Sequence, residues 1–257
     1  MTLWKFIGHS VAGVSHERHD IACQDAAIMR SRTLPTGERY LLLACADGMG
    51  SARMAAHGSK IACSALVEVV ERSTARCSSC DELMTETYAR TWFDEVHRAL
   101  EDEAELLGCP IRDLACTLLF ALCGPKGSVF GQLGDGVIVA RANDGIRQVF
   151  WPMQGEFANV TYTMTNREQI ESACICSLEN VDGVILSTDG MQYFLLDYPK
   201  ESVDAAFASG LFRWLRETEC PEQRKTEIDA FLRSARVTQR TDDDTTLVIA
   251  VRASDAA

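Results

Sequence analysis

Residues 40–51 read YLLLACADGMGS, and the fold is read outward from them. Seven mostly apolar residues, Tyr40 to Ala46, run into an acid without alternation. An unbroken apolar run of this length is the pattern of a strand buried on both faces. Asp47 stands where the strand ends. Gly48 and Gly50 let the backbone turn sharply and approach whatever the acid holds, and Ser51 is placed to cap a following helix. A carboxylate at the end of a buried strand is costly unless it is paired or binds a cation. The same grammar recurs. Val184 to Ser187 leads to Thr188-Asp189-Gly190, Phe130 to Leu133 leads to Gly134-Asp135-Gly136, and Asp242-Asp243-Asp244 immediately precedes the strand-like run from Thr246 to Val251. Several strands therefore deliver carboxylates to one end of a sheet.

On the N-terminal side, residues 3–14 read as a strand with a glycine break and 15–20 as a polar loop. Residues 21–29 read as a strand carrying Cys23-Gln24-Asp25, and 32–38 as a hairpin connection. On the C-terminal side the period changes. Met54, Gly58, Ile61, Ala62, Ala65, Leu66, Val69 and Val70 recur at spacings of three and four, one face of a helix over 51–73. A second long helix over 82–107 ends at Gly108-Cys109-Pro110. The second half is strand-dense, with strands expected over 115–123, 129–133, 137–141, 148–151, 161–165 and 184–187. Two helices over 202–218 and 221–235 and a last strand over 246–251 complete the chain. No repeat or composition shift marks a linker, so residues 1–257 read as one α+β domain with its core from about 3 to 252.

The composition narrows the function. Of 257 residues 47% are hydrophobic, enough for a substantial core, yet no apolar run approaches the roughly 20 residues of a membrane span. Residues 1–10, MTLWKFIGHS, lack the pattern of a secretory signal. Eleven cysteines, several inside apolar segments (Cys45, Cys63, Cys116, Cys123), suit a reduced, cytoplasmic protein with buried thiols. A net charge of −12 argues against nucleic acid and favours divalent cations. Cys77 and Cys80 have zinc-knuckle spacing, and Cys174 and Cys176 form a second pair, but nothing places the pairs together, so they read as inert thiols. His9, His16 and His19, spread over strand and loop near Cys23, read as separate histidines rather than a metal cluster.

In chain order stand Gln24-Asp25, Asp47-Gly48-Met49-Gly50, Cys116-Thr117, Gly134-Asp135-Gly136, Ser187-Thr188-Asp189-Gly190 and Asp243-Asp244-Thr245-Thr246. This set resembles the metal-dependent protein serine/threonine phosphatase family, type 2C. It is most similar to a compact bacterial branch, through Gly13-Val14-Ser15-His16, Cys23-Gln24-Asp25 and Gly155-Glu156-Phe157-Ala158-Asn159. The match runs over residues 8–251. The resemblance implies a four-layer α-β-β-α sandwich of two antiparallel sheets flanked by helix pairs, with a metal site at one end. It implies that Asp47 bridges two divalent metals, that the Gly48 carbonyl joins the second metal, and that Asp189 and Asp243 hold the first. Asp25 would hydrogen-bond metal-bound water, and Asp135 with Asp189 would hold a third, weaker metal. Asp47 and Asp25 are thus the expected catalytic residues, and Asp244 sits beside a ligand. The chemistry of the residues agrees. Oxygen-only donors suit Mg²⁺ or Mn²⁺, two or three of them, rather than zinc. Two such metals sharing one water hydrolyse a phosphomonoester without a covalent intermediate. The implied partner is a phosphoprotein, with a cognate kinase system.

Two departures stand out. The family usually carries Glu where this chain has Gln24, which offers an oxygen but no charge to the second metal. The eukaryotic enzymes place a phosphate-clamping Arg where this chain has Asp20, leaving His16, Arg18 and Arg53 as candidate phosphate contacts. The segment between Gly136 and Gly183 is short, so the flap over the site is expected to be reduced. The alternative reading is a catalytically weakened phosphatase-fold binding or regulatory module. Retention of Asp47, Asp189 and Asp243 favours the enzyme.

Overall fold

The computed structural model describes residues 4–153, 161–218 and 224–253. Its strands are β1 (Trp4–Val11), β2 (Ala26–Thr33), β3 (Arg39–Ala46), β4 (Leu118–Cys123), β5 (Gly127–Leu133), β6 (Val137–Ala142), β7 (Gly145–Gln148), β8 (Cys174–Glu179), β9 (Gly183–Ser187), β10 (Leu196–Asp197), β11 (Ser202–Val203) and β12 (Thr245–Arg252). Its helices are α1 (Val14–Arg18), α2 (Ala55–Thr74), α3 (Glu86–Leu107), α4 (Arg167–Ile170), α5 (Gln192–Leu195), α6 (Ala205–Arg216), α7 (Lys225–Leu232) and α8 (Ala235–Thr238). Two five-stranded sheets run in the orders β2-β3-β4-β5-β8 and β1-β12-β9-β6-β7, with β10-β11 a separate pair. Every pairing is antiparallel.

The unbroken apolar run has a direct cause. Leu41, Leu43 and Cys45 of β3 pack between the sheets against residues such as Leu186 and Val248. Leu42, Ala44 and Ala46 point the other way, into a core shared with Leu66 and Val70 of α2 and Trp92, Phe93 and Val96 of α3. Both faces are covered, so no polar residue alternates in. Phe120 of β4 anchors this outer layer, its ring centroid 5.7 Å from Trp92 and 5.4 Å from Phe93. Outside the second sheet, Ile185, Leu247 and Ile249 pack under α5, α6 and α7 through Phe194, Phe212, Leu215 and Ile228. The result is the expected α-β-β-α order of layers. Among the described residues, no helix is long and apolar enough to cross a membrane.

Several local expectations need correction. Residues 15–20 are not all loop, since α1 occupies Val14–Arg18. The strand expected over 21–29 begins only at Ala26. Ser51 does not cap α2, which starts at Ala55 after Met54. The alternating 161–165 forms no strand. There Thr161 donates to Asp135 and the Met164 backbone N–H donates to the Cys116 carbonyl. The strand expected over 148–151 lies earlier, as β7. The first of the two late helices starts at Ala205, after the short strand β11. The segment Gly155-Glu156-Phe157-Ala158-Asn159 and the Pro221 helix start lie outside the described residues.

Candidate metal centre

Sheet register gathers the acids. Asp25 precedes β2 and Asp47 follows β3, and Ala26 pairs with Ala46, so the two aspartates meet at one edge. In the other sheet Val137 and Leu247 both pair with Ser187, which brings Asp135, Asp189 and Asp243 to the matching edge. A cavity of about 340 Å³ opens between them. Gln24, Asp47, Gly48, Asp135, Asp189 and Asp243 line it, together with Ser15, His16, Met49, Gly50, Thr117, Thr161, Thr163 and Asp242.

The backbone around Asp47 is held on both sides. Its N–H donates to the Thr117 hydroxyl at 2.9 Å, and its carbonyl accepts from the Thr117 N–H at 2.8 Å. A Cβ on Gly48 would lie 2.6 Å from the Ala55 carbonyl oxygen and 2.7 Å from that of Gln24, so only glycine fits this close approach. Asp25 is buried behind the cavity wall. Its Oδ2 accepts from the hydroxyls of Thr188 and Thr246, each at 2.7 Å.

These carboxylates share too much negative charge for a dry site. Burial, and then Asp25, Asp243 and Asp135, raise the Asp47 carboxyl well above the usual range. Burial, and then Asp47, Asp135 and Asp243, push Asp189 up to about 9. Asp135 is raised by burial, partly offset by the Thr161 hydroxyl at 3.0 Å. Asp25 is raised by burial against the opposing hydrogen bonds of its two threonines. Desolvation and like charge penalise the ionised forms, and a divalent cation reverses that penalty.

The donor set suits such a cation. Gln24 Oε1, Asp25 Oδ1 and Asp189 Oδ1 are buried without a hydrogen-bond partner. All are oxygens, the donors that Mg²⁺ and Mn²⁺ prefer. Among the described residues, no three His, Cys, Asp or Glu side chains converge as a ready cage. Mg²⁺ keeps several waters and needs few carboxylates, so a loose ring of oxygens is compatible with it.

The candidate phosphate contacts separate. His16 lines the cavity. Arg18 is exposed, and Arg53, with its side chain 83% exposed, lies 3.6 Å from Asp113. Neither arginine lines the cavity, and among the described residues no Arg or Lys does. The other candidate ligands are engaged elsewhere. His9 meets Asp229 at 2.9 Å, His19 meets the Ser15 carbonyl at 2.8 Å, and the Cys77 thiol lies 3.6 Å from the Tyr88 hydroxyl.

Asp244 has a role that its place beside a ligand did not reveal. It is 2% exposed. Its Oδ1 accepts from the Gly13 N–H at 2.7 Å and from His16 Nδ1 at 2.8 Å, and its Oδ2 accepts from the Gln24 N–H at 2.6 Å. Its own N–H donates to Asp243 Oδ1 at 2.8 Å. One carboxylate thus ties together the 13–16 segment, the Gln24 loop and the Asp243 turn. A Cβ on Gly13 would fall 2.2 Å from the Asp243 carbonyl carbon, so glycine is needed there too. The threonines of the quoted motifs were given no role in the sequence reading. Only Thr188 stands beside an acid in sequence, Asp189; Thr117 and Thr246 reach Asp47 and Asp25 through the fold.

The model of the family described as protein phosphatase 2C matches residues 12–233. Serine/threonine-protein phosphatase 3 of Escherichia coli strain K12 is 29% identical over 251 residues, covering 96% of this chain and 98% of its own. The catalytic domain of the serine/threonine protein phosphatase PstP, in complex with two manganese ions, superposes with a TM-score of 0.65 at 16% identity, covering 99% of this chain and all of its own. The serine/threonine phosphatase Stp1 from Staphylococcus aureus gives 0.63 at 15% identity, covering 97% and 95%. At these identities the structural likeness establishes the fold.

Proposed function

We infer the function from one premise: the chain belongs to the protein phosphatase 2C family. We propose that it is a metal-dependent phosphoprotein phosphatase acting on phosphoserine and phosphothreonine. The observation that carries this reading is the set of unpartnered buried oxygens, Gln24 Oε1, Asp25 Oδ1 and Asp189 Oδ1, in and behind a carboxylate-lined cavity. Asp47, Asp189 and Asp243 would hold Mg²⁺ or Mn²⁺, with the Gly48 carbonyl and Gln24 Oε1 on the second ion and Asp135 toward a third. When bound, such ions neutralise phosphate charge and make water nucleophilic at neutral pH. The protein's own work is to hold the ring in place. The Thr188 and Thr246 hydroxyls fix Asp25, Thr117 fixes Asp47, and Asp244 fixes the Gln24 loop. The chain acts as one domain, its partners are phosphoproteins of a kinase system, and its free thiols suit the cytoplasm. The E. coli relative and the manganese complex of PstP support the activity and the choice of metal.

A binding or regulatory module is the second reading, favoured by the cavity's lack of Arg or Lys among the described residues. One assay separates the two. Turnover of a chromogenic monoester and a phosphothreonine peptide should appear with Mn²⁺ and vanish in excess EDTA. Full turnover in chelator removes the metal mechanism, and no turnover at any Mn²⁺ concentration leaves the module.

A further inference from the structure

We propose that His16 is the proton donor to the departing serine or threonine oxygen, with Asp244 as its positioning residue. The proposal rests on the phosphatase reading above. Among the described residues, His16 is the only lining side chain that can carry a positive charge. Asp244, buried and accepting three hydrogen bonds, takes the Nδ1–H of His16 at 2.8 Å. That contact fixes the ring, because a carboxylate oxygen accepts and Nδ1 must therefore carry the proton. Nε2 is left for the cavity. The His16 side chain is only 16% exposed, so its ring is held rather than free to swing in solvent. A buried carboxylate that orients an imidazole is a recurring way to set a proton-transfer group.

The step balances as follows. Water adds to phosphorus as the phosphorus–oxygen bond to the serine or threonine breaks. The Nε2 proton of the doubly protonated His16 ring passes to the leaving oxygen, giving the free hydroxyl and the neutral ring with its proton on Nδ1. The proton lost by the attacking water passes to solvent, and solvent reprotonates Nε2 for the next turnover. No oxidant or further reactant is needed. The products are the dephosphorylated side chain and inorganic phosphate.

The test uses two leaving groups. Wild type, His16→Gln and His16→Asn are assayed at saturating Mn²⁺ on 4-nitrophenyl phosphate and on a phosphothreonine peptide. Nitrophenolate leaves without a proton, whereas a threonine alkoxide needs one. The expected loss in kcat is about 10²–10⁴-fold on the peptide and less than about tenfold on the nitrophenyl ester. Long-range proton–nitrogen spectra should show a proton retained on Nδ1 of His16, as its contact with Asp244 requires. Equal losses on both substrates overturn the proposal and make His16 a phosphate contact. Unchanged peptide turnover, or an Nδ1 that carries no proton, also overturns it. A wild type that turns over neither substrate removes the phosphatase reading, and this proposal with it.

Discussion

Asp47 and Gln24 differ in what the chain asks of them. Asp47 follows β3 with its backbone tied to Thr117, and it lines the cavity together with Asp135, Asp189, Asp242 and Asp243. Asp135 already accepts the Thr161 hydroxyl. Removing charge from Asp47, proposed to be shared by two ions, should therefore hurt most. Asp47→Asn is expected to lower kcat/KM on a chromogenic monoester more than about 100-fold, and Asp135→Asn about tenfold. Near wild-type rates for Asp47→Asn would discard its bridging role. Gln24 gives a second case. Its backbone is held by Asp244, while its Oε1 is buried without a partner. Hard-cation affinity follows ligand charge, so Gln24→Glu should bind Mn²⁺ more tightly and reach half-maximal rate at lower Mn²⁺. Calorimetric titration of both proteins reads this directly, and superimposable curves would place residue 24 outside the metal's reach.

Elements with two buried faces, or one long apolar stripe, were legible in the sequence. β3, β9 and β12 each carry an unbroken apolar run, and α2 and α3 carry the three-and-four spacing. The acids were legible because each stands at the end of such a run. What failed to show lacked an apolar face. α1 buries no residue, so periodicity had nothing to register. β8 is a sheet edge with half-buried and exposed positions and was not separated from its surroundings. The threonines of 161–165 alternate because their hydroxyls meet Asp135 and each other, not because a sheet pairs them. Asp244 read as a neighbour because its partners, Gly13, His16 and Gln24, lie more than 200 residues away in sequence. The layer that positions these loops depends on Phe120, fully buried under Trp92 and Phe93. Phe120→Ala should cost about 3–5 kcal/mol, read as a lower urea midpoint at unchanged slope. An unchanged midpoint would mean the outer helices are not fastened to the sheet through this ring.

At the scale of the whole molecule, the crowded carboxylates work against stability once they ionise. The chain carries a net charge of −12 and sets several carboxylates around one cavity. Between its ordinary 3.8 and the folded value of about 9, Asp189 holds a proton in the native protein that it has lost in the unfolded chain. Asp47 and Asp135 are displaced in the same direction. Stability falls with rising pH wherever the native state binds more protons, so the metal-free protein should lose stability across this window as pH rises. A cation that binds the native state alone stabilises by mass action, and it binds the ionised carboxylates, so its effect should grow with pH. In EDTA, Tm should therefore fall between about pH 6 and about pH 8.5, and Mg²⁺ should raise Tm more at the upper pH than at the lower. Asp47→Asn removes one of the crowded charges. It should flatten the metal-free pH dependence and raise Tm in EDTA, while reducing the gain from Mg²⁺. Differential scanning calorimetry of the two proteins at both pH values, with and without Mg²⁺, reads all of these effects. A metal-free Tm that climbs with pH would show that other groups, not this carboxylate cluster, govern the molecule's response.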